Sequence, residues 1–277
     1  MIYFPNCKIN LGLNITEKRP DGFHNIETVF YPVNWCDSLE VIENRKNEKP
    51  FEFSTSGLAI AGSLDTNLIY KAYQIIQAKH PLPNLSVHLH KVIPMGAGLG
   101  GGSADAAFFI RAINTQFNLK MDESEQLFIA NQLGSDCAFF IQNKAVYASD
   151  KGHVFSNIEL NLSKCCILVI YPGIHSNTKE AYDGVIPVAS KQTPKQIIEQ
   201  YNIHEWKNHL KNDFEKSIFK KYPKIEAIKN KLYGTGAIYA SLSGSGSAVF
   251  GVFENTPPLT AFENFDYFLQ SPKELHL

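Results

Sequence analysis

Pro94-Met95-Gly96-Ala97-Gly98-Leu99-Gly100-Gly101-Gly102-Ser103-Ala104-Asp105-Ala106-Ala107 places five glycines in seven positions. Glycine opens backbone angles closed to other residues and lets a ligand touch the main chain. Upstream, Leu85, Val87 and Leu89 alternate with Ser86, His88 and His90, the period of a half-buried strand. Downstream, Ala106, Phe109, Ile110, Ile113 and Phe117 recur at helical spacing, and Ser103 is the expected N-cap. The order is strand, glycine loop, helix. A helix start fed by such a loop offers bare N–H groups and a partial positive charge, and phosphate fits both. A side chain at Gly101 is expected to collide with that phosphate. A flexible turn before a core helix is the alternative, but it leaves the entropy cost of five clustered glycines unexplained.

No lysine follows the glycines, so the Gly-x-x-x-x-Gly-Lys-Ser/Thr loop is excluded. Gly96-x-Gly98-x-x-Gly101 spells a dinucleotide fingerprint. The acidic residues about twenty positions on, Asp122 and Glu123, open a helix instead of ending a strand.

The chain has 277 residues, 44% hydrophobic and 19% charged, as in soluble globular proteins, and its length suits one large domain or two modest ones. A net charge of −1 gives no electrostatic support for nucleic acid or an anionic membrane as partner. A small phosphorylated ligand needs no such charge, because main-chain N–H groups can hold it. The cysteines, Cys7, Cys36, Cys137, Cys165 and Cys166, are odd in number and lack a C-x-x-C pair. That argues against a disulfide framework and a structural zinc site, and for a reducing, cytoplasmic setting. Met1-Ile2-Tyr3-Phe4-Pro5 does not resemble a targeting peptide, and no apolar run reaches membrane-spanning length.

Cys7, Ile9, Leu11, Leu13 and Ile15 alternate with Lys8, Asn10, Gly12 and Asn14, a strand pattern. Further strands are expected at 28–33, 39–42, 145–148, 165–171, 238–242 and 248–253. Helices are expected at 68–78, 122–133, 194–201 and 223–232, with a solvated loop at 45–50 and a loop-rich stretch at 174–195. Strands and helices mix without strict alternation, so the class is α+β. The boundary is placed near residue 155, giving domains 1–155 and 156–277.

Four further groups could carry chemistry. Asp136, in Gly134-Ser135-Asp136-Cys137, is either an N-cap or an aspartate beside a dry pocket that orients or deprotonates a hydroxyl. Lys8 is either a solvent-facing strand lysine or a cation paired with a catalytic acid or phosphate. Ser241-Leu242-Ser243-Gly244-Ser245-Gly246-Ser247 is either a hairpin turn or a loop whose N–H groups face an anion. Phe23 and His24, after the Arg19-Pro20-Asp21-Gly22 turn, suit stacking on a planar base and reading its edge, although a lone histidine is commonly a surface residue.

Taken together, these motifs resemble the small-molecule kinase superfamily named for galactokinase, homoserine kinase, mevalonate kinase and phosphomevalonate kinase, the GHMP kinases. Its N-terminal strand motif, phosphate loop and C-terminal glycine loop occur here in order from Asn6 to about Phe250. The Pro20-Asp21-Gly22-Phe23-His24 segment narrows the resemblance to the branch acting on a cytidine diphosphate substrate in non-mevalonate isoprenoid synthesis. The resemblance implies a two-domain fold with the active site in the cleft between domains, and ATP and Mg²⁺ as cofactors. It implies that Pro94, Met95, Gly96, Ala97, Gly98, Leu99, Gly100, Gly101, Gly102, Ser103 and Ala104 wrap the ATP phosphates. It implies Asp136 as catalytic base and Lys8 as its partner. Asn10, Phe23, His24, Tyr182, Gly244 and Gly246 would meet the substrate, with Asn67, Leu68 and Lys91 near the adenine. It assigns no metal ligands and no oligomeric state. Phe23 stands where many members have tyrosine, and Ala97 where glycine is frequent. Another GHMP-type kinase and a non-catalytic nucleotide-binding protein are the rival readings.

Overall fold

The computed structural model describes residues 1–45 and 49–272, so the loop expected over 45–50 lies partly outside the described residues. In chain order the strands are β1 (Ile2–Tyr3), β2 (Asn6–Lys18), β3 (His24–Cys36), β4 (Ser38–Glu43), β5 (Phe51–Gly57), β6 (Leu85–Lys91), β7 (Val146–Ser149), β8 (Val154–Asn157), β9 (Cys166–Tyr171), β10 (Tyr239–Leu242), β11 (Val249–Phe253) and β12 (Asp266–Gln270). The helices are α1 (Leu68–Gln77), α2 (Gly101–Gln116), α3 (Glu123–Leu133), α4 (Ser135–Gln142), α5 (Thr178–Asp183), α6 (Pro194–Gln200), α7 (Trp206–His209), α8 (Glu215–Lys221) and α9 (Pro223–Gly234). The class is the expected α+β. Two compact units share the chain: Met1–Cys7, Asn34–Met95 and Gly100–Lys144 form one, while Lys8–Val33, Gly96–Leu99 and the chain from Ala145 onward form the other.

The first unit holds a sheet ordered β1-β4-β6-β5, with β5 parallel to β6 and the other pairs antiparallel. β6 keeps its alternation: Leu85, Val87 and Leu89 are buried, and Ser86, His88 and His90 are not. α2 packs on β4 and on α1, α3 and α4. Its small residues Ala104, Ala106, Ala107 and Ala112 are buried with Phe109, Ile110 and Ile113, which lets neighbours approach on several sides. Phe51 ties this core together, its ring 4.4 Å from Tyr73 of α1 and 6.2 Å from Phe109 of α2. Asp122 caps α3 by accepting the Glu125 N–H at 2.8 Å, as its spacing suggests. β5 had no strand signal in the sequence, because Ser54, Thr55 and Ser56 are exposed on an edge strand.

The second unit holds a sheet ordered β2-β3-β7-β8 and an antiparallel sheet ordered β10-β11-β9-β12. The continuous apolar run of β9 fits its place between two strands. Helix α9 packs on β10 and β11. Leu13, Ile15 and Ile26 join Leu168, Ile170, Phe214, Leu232, Leu242 and Val249 in one core. β2 departs from the expected half-buried strand, since every residue from Asn6 to Leu13 is buried. The 174–195 stretch contains α5, a short helix capped by Asn177. No disulfide links the cysteines among the described residues. No helix among the described residues is long and apolar enough to cross a membrane.

Candidate active site

Burial of both faces of β2 removes the solvent-facing reading of Lys8. Its side chain is not solvent-facing: Lys8 is 3% exposed, and Nζ donates to Asn10 Oδ1 at 2.6 Å and lies 4.9 Å over the Phe30 ring. Asn10 Nδ2 donates to Thr28 Oγ1 at 3.0 Å. The Lys8 backbone N–H donates to the Leu99 carbonyl at 3.0 Å, which fastens the strand to the glycine loop.

The same unit joins the two glycine loops backbone to backbone. Gly98, at φ +78°, has no room for a Cβ, which would overlap the Ser243 carbonyl; a Cβ on Gly246 would overlap Ala97 and the Gly98 nitrogen. Ser243 Oγ donates to the Gly98 carbonyl at 2.9 Å, and the Ala248 N–H donates to the Ala97 carbonyl at 3.0 Å. The Cβ position of Gly244 faces Gly98 and lies 3.3 Å from Asn10 Oδ1. Asn212 Nδ2 bonds the carbonyls of Leu242 and Gly244, each at 2.9 Å. Ser176 N–H donates to the Gly96 carbonyl at 3.1 Å, and the His175 ring abuts Gly96. His175, Ser176 and Asn212 carried no local motif, and only the fold brings them to the loop.

In the first unit, Gly100 is the N-cap of α2 at φ 71°, and no side chain caps the helix among the described residues. Ser103 is therefore not the cap but the third helical residue. The first backbone bond runs from Ala104 N–H to the Gly100 carbonyl at 2.9 Å, so the N–H groups of Gly101, Gly102 and Ser103 precede it and have no intrahelical partner. This is a donor set suited to a polyanion. A side chain at Gly101, expected to strike a phosphate or force the loop open, first meets the protein itself: a Cβ there lies 2.9 Å from Lys91 Nζ and 3.0 Å from Ile93. Gly102 is the open position, where a Cβ meets nothing within 4 Å.

The cap of α4 is Gly134, and Asp136 is half-buried at the second helical residue. Next to it, burial, opposed by a hydrogen bond from Ser103 and reinforced by the Asp136 charge, pushes the Cys137 thiol up to about 12. The Ser103–Cys137 contact joins the first turn of α4, with Asp136, to the uncapped first turn of α2. Lys91 is not open to a ligand. It is 2% exposed and held by Asp37 and Asp105. Asn67 caps α1 by accepting the Ile69 N–H at 2.9 Å. No cluster of three or more His, Cys, Asp or Glu that could hold a metal ion occurs among the described residues.

In the second unit, the 19–24 turn presents an open aromatic. Phe23 is 59% exposed, and Lys151 Nζ stands 4.9 Å over its ring. Arg19 braces the turn through Asp21, Asn25 and Asp150, and Asp21 Oδ1 accepts the Phe23 N–H at 3.1 Å. His24 stacks on Tyr182 at 4.7 Å and 18°. Tyr182 meets Phe214 edge-on at 4.9 Å, so a core ring supports the stack. Burial, with Lys18 beside it and Asp183 opposing, holds His24 below the usual histidine range. A neutral imidazole can both donate and accept.

The family profile described as GHMP kinases N terminal domain matches residues 67–144, and that described as GHMP kinases C terminal matches residues 195–265. A 4-diphosphocytidyl-2-C-methyl-D-erythritol kinase of Cytophaga hutchinsonii is 50% identical over 265 residues, covering 95% of this chain and 96% of that one. One from Bacteroides fragilis is 47% identical over 263 residues, covering 95% and 96%. The crystal structure of a 4-(cytidine 5'-diphospho)-2C-methyl-D-erythritol kinase superposes with a TM-score of 0.79 at 26% identity, covering 97% of this chain and 98% of that chain. The Methanococcus jannaschii mevalonate kinase shares the fold at TM-score 0.70 and 14% identity, covering 97% of each.

Proposed function

The chain belongs to the GHMP kinases and, within them, to the 4-diphosphocytidyl-2-C-methyl-D-erythritol kinase family, and from that premise we propose how it works. It is an ATP-dependent small-molecule kinase that phosphorylates the 2-hydroxyl of 4-diphosphocytidyl-2-C-methyl-D-erythritol in the non-mevalonate isoprenoid pathway. One observation carries the phosphoryl-transfer reading: α2 begins at a left-handed glycine, and no side chain among the described residues caps its first turn. Residues 94–104 receive the ATP phosphates on these N–H groups and on the positive end of the helix.

Transfer of a phosphoryl group depends on positioning and charge more than on covalent chemistry. Asp136 accepts the proton of the 2-hydroxyl as the oxygen attacks. An aspartate is a weak base toward an alcohol, so the proton moves late in a loose transition state. Lys8, fixed by Asn10 and by the Leu99 carbonyl, serves as the cationic partner of Asp136 and draws the transferring group. Phe23 covers the face of the cytosine and His24 reads its edge, with Tyr182 behind His24. Asn10 meets the polyol. Gly244 and Gly246 line the site by letting the second glycine loop press on the first. Mg²⁺ bound with the nucleotide would supply charge that offsets the negative charge developing in the transfer, and the residues at hand to support it are the loop N–H groups that hold the phosphates. The two profile matches fall on either side of residue 155, whereas the two compact units interleave along the sequence, with Lys8–Val33 and Gly96–Leu99 belonging with the chain from Ala145 onward. Five cysteines with no C-x-x-C pair support the reading of a reducing, cytoplasmic location.

The test is product analysis. The purified chain is incubated with ATP and the cytidine substrate, with mevalonate, or with homoserine, and products are identified by mass. Phosphorylation of the cytidine substrate alone is expected. Turnover of mevalonate or homoserine in its place refutes the substrate, and no turnover of any refutes the enzyme.

A further inference from the structure

Beneath the glycine loop, within the first unit, one ammonium holds two carboxylates. Lys91 Nζ donates to Asp37 Oδ2 at 2.5 Å and to Asp105 Oδ2 at 2.7 Å, and all three side chains are at most 4% exposed. Asp37 Oδ1 also accepts the N–H groups of Val92 at 2.5 Å and Ile93 at 2.8 Å, the residues that lead into the loop. Lys91 Nζ lies 2.9 Å from the Cβ position of Gly101, and Asp105 stands on α2. The end of β6, the entry to the loop and the start of α2 therefore meet at one buried cluster of charge. Among the described residues Asp105 Oδ1 is buried without a hydrogen-bond partner.

Two ionised carboxylates on one ammonium leave a net negative charge behind the very donors that are to receive phosphate. Burying an unbalanced charge is costly, and one proton on Asp105 removes it. We infer that the Asp37–Lys91–Asp105 cluster is the positioning device of the glycine loop, and that Asp105 carries a proton when the loop holds the phosphates of a nucleotide. The inference rests on the ATP reading above. Asp105 touches no ligand and acts through Lys91 and the loop backbone.

The electrostatics agree with the geometry. Burial lifts the Asp105 carboxyl to about 7, with Lys91 opposing and Asp37 reinforcing. Burial works against the charge of Lys91, but Asp105 and Asp37 outweigh it and raise the ammonium above its usual range. From α4, Ser103 in the first turn of α2 meets Cys137, whose thiol stays neutral, and burial and the charge of Asp37 push the Cys36 thiol up to about 11, so neither cysteine changes charge near pH 7. The sign follows: below about 7 the cluster is neutral and the loop accepts a polyanion; above it the cluster is negative and repels one.

The experiment is ATP binding by titration calorimetry at about pH 6.5, 7.5 and 8.5, in two buffers of different ionisation enthalpy, on the wild-type chain and Asp105→Asn. The terminal phosphate of ATP titrates equally in both, so it cancels in the difference. Between the lowest and highest pH the wild type should lose roughly tenfold more affinity than Asp105→Asn, and near pH 7.5 it should take up about half a proton more per ATP. In steady-state assays KM for ATP should carry this pH difference, while kcat at saturation should not follow it. Equal pH profiles and equal proton uptake overturn the inference. If Asp105→Asn does not fold, the wild type still decides, because free ATP titrated in the same buffers gives the nucleotide's own share; uptake no larger than that share overturns the inference. Absence of ATP binding at every pH overturns the kinase reading itself, which separates the two failures.

Discussion

Replacing Phe23 by alanine separates recognition of the base from stability of the fold. The ring is 59% exposed, so truncation removes little buried surface and costs about 1 kcal/mol of stability or less. Within the free protein it loses the cation of Lys151 over the ring, a contact worth about 0.5–1 kcal/mol at an exposed site. Toward the substrate it loses a stacking face worth about 1–3 kcal/mol per base. At 1.4 kcal/mol per tenfold, that is about a 5- to 140-fold rise in KM for the cytidine substrate. Tyr182 is a poorer probe, because its ring abuts Phe214, which is 1% exposed, and its loss would open the core. The assay measures both KM values by ADP release, with a thermal melt of each protein alongside. KM for ATP should stay within about twofold, and the melting temperature should move by less than about 2 °C. An unchanged cytidine KM, or an equal rise in both constants, refutes residues 22–24 as the base pocket.

The other predictions concern the loop and the base. Asp136→Asn keeps the shape of the α4 start and removes the proton acceptor, so kcat should fall by roughly 10²–10⁴ with ATP affinity little changed; near-normal turnover removes Asp136 as base. Gly102→Val adds a side chain where a Cβ meets nothing, so it should raise KM for ATP and leave the melting temperature near that of the wild type. Gly101→Val drives a side chain into Lys91 and Ile93 and should instead cost about 1–3 kcal/mol of stability, read as a lower melting temperature.

The glycine loop was legible because clustered glycines between two periodic stretches have few structural meanings. β6, α1, α3, α9 and the strands β9, β10 and β11 followed from period and caps within a few residues. The error at β2 comes from partners distant in sequence. Lys8, Asn10 and Gly12 look like the wet side of a strand, but Leu99, Thr28 and Gly244 cover that side from positions a local pattern cannot see. The N-cap of α2 was assigned to Ser103 on residue type, whereas the left-handed turn at Gly100 lets the helix begin earlier. α4 hid behind an aspartate with the chemistry of a cap. The Asp37–Lys91–Asp105 cluster spans 54 and 14 residues in separation, and no short window contains it.

The second unit takes its Lys8–Val33 segment from far upstream of the rest of its chain. Leu13 and Ile15 finish their packing against Phe214, Leu232, Val249 and Phe262, and the backbone of Leu13 and Ile15 bonds to Lys211 and Asp213. During synthesis at about 5–20 residues per second, β2 and β3 must wait roughly ten to fifty seconds for these partners. Throughout that interval an apolar hairpin stands uncovered on the nascent chain, the condition in which strand edges pair with the wrong neighbour. A ribosome that stalls after residue 165 would release this hairpin without its cover. Nor can cutting the chain at any one peptide bond yield both units intact, since each is threaded through the other's sequence. Folding yield, more than the stability of the finished protein, is therefore where substitutions at Leu13, Ile15 or Ile26 would first be felt.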